Sequence, residues 1–145
     1  MAGSASTITY DDAYDRQGRQ RAIQSVTIAW TSDSATGAVS ATTEKISGWL
    51  IKGVTIPSGG GTAPTDNYDI AITDPNSVDI LTACKLGLGN RDTANTEETY
   101  FFLLNQDATP LSTSAHPVVC DKITVAVTNA GNSKQGTIIL YYCPG

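Results

Sequence analysis

From Gln24 onward the apolar positions of this chain recur at every second residue. "QSVTIAWT" sets Val26, Ile28 and Trp30 against Ser25, Thr27 and Ala29, and "NYDIAIT" sets Tyr68, Ile70 and Ile72 against Asp69, Ala71 and Thr73. "VVCDKITVAVT" does the same with Ile123, Val125 and Val127, and "TIILYYC" with Ile138, Leu140 and Tyr142. Successive side chains of a strand point to opposite faces, so this alternation predicts half-buried β-strands. Turn clusters separate them: "SDSATG", "PSGGGTAPTD", "DPNS", "DATPLSTSAHP" and "NAGNSKQG". In "DPNS" the proline at the second position, Pro75, predicts a type I turn.

The run "AVSATTEKISGWLIKGVTI" holds one or two strands, with Ile46, Leu50, Val54 and Ile56 in phase. Gly48 and Gly53 interrupt it and predict a bulge or sharp bend. "ETYFFLLNQ" contains an apolar run from Tyr100 to Leu104 that suits a central strand, while "VDILTACKLGLGNRD" is ambiguous. No stretch carries a sustained 3.6-residue apolar stripe with caps at both ends. Seven to nine short strands predict an all-β fold, a two-sheet antiparallel β-sandwich of jelly-roll or Ig-like connectivity.

Residues 1–24 fall outside the main apolar pattern. They predict an extended N-terminal arm or a peripheral hairpin turning near Arg16-Gln17-Gly18, with residues 25–145 as a single sandwich domain. Asp11, Asp12 and Asp15 precede Arg16, Arg19 and Arg21. A solvated tail fits this polarity. An arm gripping a neighbouring subunit fits the isolated tyrosines better. Tyr10, Tyr14, Arg16, Arg19 and Arg21 are therefore the candidate interface residues.

Composition narrows the function classes. The chain has 145 residues, enough for one compact domain. Residues 1–60 balance five Lys/Arg against five Asp/Glu, residues 61–110 carry two against eight, and residues 111–145 carry two against one. The acidic middle repels phosphate, so no nucleic-acid partner is expected. No apolar run approaches membrane-spanning length, so no membrane partner is expected either. There is no signal-peptide pattern. Cys84, Cys120 and Cys143 are odd in number and lack a CxxC pair, which predicts reduced thiols in a reducing cytosol rather than a disulfide framework or a zinc site.

Catalytic signatures are missing. The one histidine, His116, lies near Ser114 and Cys120 in a loop, without a nucleophile elbow or a catalytic-cysteine context. Glu97 and Glu98 are adjacent, so in a strand they face opposite sides and cannot converge across a cleft. "SGGGT", Ser58 to Thr62, lacks the lysine of a P-loop. No enzymatic activity and no cofactor are expected.

Four aspartates in "APTDNYDIAITDPNSVDIL" raise the question of calcium. The segment lacks the glycine of an EF-hand loop. Asp66 and Asp74 stand eight residues apart, roughly 26 Å along a strand, and cannot share an ion. Asp74, Asn76 and Asp79 are the remaining candidate set; the alternative is an Asx turn, in which a carboxylate accepts from backbone N–H groups.

Taken in order, "WTSDSATGAVS", "ISGWL", "APTDNYDIAITD", "NRDTANTEETY" and "VTNAGNSKQGTIILYY" resemble a group of small tailed-phage virion proteins. The likeness covers residues 26–142 and lies in word order and turn placement. It implies a capsid decoration, or cement, protein on the outer capsid surface of the virion. Such a protein assembles in the host bacterial cytoplasm, binds the major capsid protein and forms a homo-oligomer, typically a trimer. A neck, collar or tail-associated component is the alternative within the particle. A host- or carbohydrate-binding module, stacking sugars on Trp30 or Trp49, is the alternative outside that class.

Overall fold

A computed structural model describes residues 3–11, 22–80, 96–100 and 117–145. Nine strands occur among them: β1 (Ala5–Asp11), β2 (Gln24–Thr31), β3 (Val39–Thr42), β4 (Gly48–Pro57), β5 (Asp69–Thr73), β6 (Glu97–Tyr100), β7 (Val118–Val119), β8 (Thr124–Thr128) and β9 (Gln135–Pro144). The larger sheet runs β1-β2-β9-β4-β6, with β7 also on β4, and the smaller runs β3-β8-β5. Every pairing is antiparallel. The protein is an all-β two-sheet sandwich.

Alternation dictates the core. Val26, Ile28 and Trp30 of β2 stand in register with Leu140, Ile138 and Gly136 of β9. Tyr68, Ile70, Ile72, Ile123, Val125 and Val127 face them from the smaller sheet, all buried. Each such aliphatic side chain contributes about 1.5–3 kcal/mol of burial. Trp30 and Tyr68 bridge the layers with ring centroids 6.0 Å apart, tilted by 46°. Gly136 makes room for that indole: a Cβ there would come within 2.6 Å of the Trp30 ring.

The bulge expected between Gly48 and Gly53 is present, as a register shift between Leu50 and Lys52. It corrects the expected phase of β4. Leu50 pairs with inward-facing Tyr142, but beyond the extra residue Gly53 pairs with Leu140 and Thr55 with Ile138. Gly53 and Thr55 therefore face inward. Val54 and Ile56 turn to the outer side, where Val54 is buried apart from the main core and Ile56 is 38% exposed. A bulge adds one residue to a period of two, so it inverts the faces of everything after it.

β1 is the edge strand of the larger sheet, paired with β2 from Ala5↔Thr31 to Asp11↔Ser25. The chain therefore reverses between residues 11 and 24. Ile8 and Tyr10 pack against the core.

Buried polar groups are mostly satisfied. The Thr43 N–H donates to the Ile123 carbonyl at 2.9 Å, and the Ile123 N–H donates to Thr43 Oγ1 at 3.1 Å. Buried Ser32 donates to the Gly131 carbonyl at 2.6 Å and accepts from the Lys134 N–H at 2.9 Å. Gln24 Nε2 and Thr55 Oγ1 are buried with no hydrogen-bond partner among the described residues.

Candidate binding surface

The calcium candidates form a hydrogen-bonded turn. Asp74 Oδ1 accepts the N–H of Asn76 at 2.9 Å and of Val78 at 2.8 Å. Its backbone closes the loop: Ser77 N–H donates to the Asp74 carbonyl at 3.0 Å, and Asp74 N–H donates to the Val78 carbonyl at 3.0 Å. Ser77 sits at φ 63°, the left-handed residue that follows the turn in a three-residue hairpin loop. Asp79 then bridges back to Thr73. Asp74 thus accepts from the backbone, as in an Asx turn. Asp33 does the same in "SDSATG": its Oδ1 accepts from Ala35 at 2.8 Å and Thr36 at 2.9 Å. The Thr36 N–H first, and the Ala35 N–H second, hold its carboxyl below the ordinary value of 3.8.

Of the interface candidates, Tyr10 lies in β1, where its hydroxyl accepts the Glu44 N–H at 2.6 Å. That bond ties the edge of the larger sheet to the segment after β3. Tyr14, Arg16, Arg19 and Arg21 lie outside the described residues, as do His116, Ser114 and Cys84. Glu97 and Glu98 sit in β6, opposite Thr55 and Val54.

The two tryptophans have different fates. Trp30 is 4% exposed and belongs to the core; Trp49 is 47% exposed. Trp49 is followed by inward-facing Leu50, so a strand must turn its indole outward. Its register neighbours are Val118 on β7 and Cys143 on β9. Val118 is 66% exposed because its neighbour Val119 occupies the core side. The C-terminal Gly145 packs beside the Trp49 ring.

Val118 also lines an open groove of about 430 Å³ between β7 and the Asp74–Val78 turn. Pro75, Pro117 and Val78, which is 57% exposed, give it apolar walls, and Asp74, Asp121 and Lys122 give it a charged rim. Trp49, Val118 and Val78 form the candidate binding surface. The doublets Trp49-Leu50 and Val118-Val119 were its signal in the sequence, since alternation cannot bury both members of an adjacent apolar pair.

No family model matches the chain, and no curated protein matches it. A solved structure reported as "Structural basis for the promiscuous specificity of the carbohydrate-binding modules from the beta-sandwich super family" is similar at 12% identity, with a TM-score of 0.39. The match covers 96% of this chain and 52% of that one, so the chain spans about half the length of the structure it matches.

Proposed function

We propose that this chain is a non-enzymatic structural protein of a tailed-phage particle, a capsid decoration protein that binds the major capsid protein and stabilises contacts between capsomers. The observation that carries the proposal is the surface of Trp49, Val118 and Val78. Exposed apolar groups beside a polar rim favour protein contact, and an indole with an aliphatic neighbour suits a buried anchor. The likeness in word order over residues 26–142 supports the same reading. Each contact is modest, and the symmetry of a shell multiplies it.

The test is add-back. Particles assembled without the protein are heated with and without the purified chain. The wild-type chain is expected to raise the temperature at which they rupture, and a Trp49→Ala/Val118→Ser variant to lose that effect while keeping its own melting temperature. Particles equally robust without the protein would remove the proposal.

A second reading, a host- or carbohydrate-binding module, is favoured by one observation: the half-exposed indole of Trp49 offers a face for a sugar ring. Because Trp30 is buried, a fluorescence change on glycan titration would report Trp49. An unchanged spectrum across a glycan panel retires this reading.

A further inference from the structure

An edge strand points alternate N–H and C=O groups away from its own sheet, which makes it a template for another strand. Among the described residues the strand partner of β1 is β2, on one side. Its seven residues, "ASTITYD", include no proline, no lysine and no bulge, the usual devices that blunt an edge. Five of the seven are exposed, and Ile8 and Tyr10 are partly buried.

We infer that β1 pairs antiparallel with β1 of a second copy of this chain, across a two-fold axis through Ile8. The register follows from geometry. Antiparallel partners must share a face, so a self-pairing has to be centred on a residue, and only a centre at Ile8 engages all seven. Ile8 then meets the partner's Ile8, Thr7 meets the partner's Thr9, Ser6 meets the partner's Tyr10, and Ala5 meets the partner's Asp11. Thr7 and Thr9 are exposed on the outer face, where cross-strand threonine pairs are favourable. No like charges oppose each other, whereas a parallel pairing sets Asp11 beside the partner's Asp11. The edge of the smaller sheet lies on the same side, because Tyr10 binds the Glu44 N–H just beyond β3. The two larger sheets become one continuous sheet with an isologous seam. This is a two-fold pair, not the three-fold assembly that the phage resemblance implies, and it stands apart from any role in a particle.

A seven-residue seam lies at the small end of stable interfaces, so micromolar rather than nanomolar association is expected. Sedimentation equilibrium of the full chain tests it, with two variants at exposed positions and folding checked by circular dichroism. Thr7→Lys/Thr9→Lys sets lysine against lysine twice and is expected to weaken the dimer about tenfold. Thr7→Lys/Thr9→Glu sets lysine against glutamate twice and is expected to preserve it. A wild-type chain that stays monomeric, association indifferent to the lysine pair, or equal weakening by both variants would each overturn the inference.

Discussion

Single residues in this sandwich are constrained by backbone geometry and by the pairing of buried polar atoms. Gly48 sits at φ 147°, where a Cβ would lie 1.9 Å from the Cys143 carbonyl oxygen. Gly48→Ala is therefore expected to cost at least about 3 kcal/mol, read as a loss of denaturation midpoint. Thr55 presents the opposite case. Its hydroxyl is buried without a partner among the described residues, so Thr55→Val should be neutral or stabilising by roughly 1 kcal/mol. Asp33 adds a pH dependence. Its carboxyl is lowered on folding by the Thr36 and Ala35 N–H groups, so the ionised form favours the folded state. That contribution is present above the unfolded value and is lost as pH falls through the lower folded value. The melting difference between wild type and Asp33→Asn should appear at neutral pH and vanish near about pH 2. Asp74→Ala should cost about 1 kcal/mol through its two N–H bonds, by the same amount with and without EDTA. A cost that EDTA abolishes would point to an ion instead.

At the scale of elements, most of the fold was legible because burial obeys a period of two. β2, β5, β8 and β9 bury the residues their alternation predicts. Trp30→Ala is expected to cost about 3–5 kcal/mol, since its indole fills the space between the sheets. β4 was legible in place but not in phase. Glycines mark where a strand bends but not which neighbour becomes the extra residue, so Val54 and Ile56 were assigned to the wrong face. Deletion of Ile51 tests this account. It removes the register shift while leaving Leu50, Gly53 and Thr55 inward, and the shortened chain is expected to fold. β1 was obscured by its threonines, which satisfy alternation without apolar residues to announce it. The candidate surface was partly legible through the adjacent apolar pairs, but not through Val78. A lone valine after a turn has no neighbour that forces it out, and its exposure follows from the Asp74 loop.

For the molecule as a whole, the position of β9 has a consequence in time. β9 lies between β2 and β4, so the larger sheet has no middle until residues 135–144 are present. During synthesis the smaller sheet can complete first, because β3, β5 and β8 all precede residue 129. The inward faces of β2 and β4 meanwhile wait without a partner, exposed to solvent, to chaperones and to each other. A nascent chain stalled before Gln135 should therefore remain protease-sensitive throughout β2 and β4, and one stalled with β9 clear of the ribosome should be protected. Maturation is set by the arrival of the last strand. Whatever this protein attaches to, it becomes competent to attach only after its synthesis through that strand is complete.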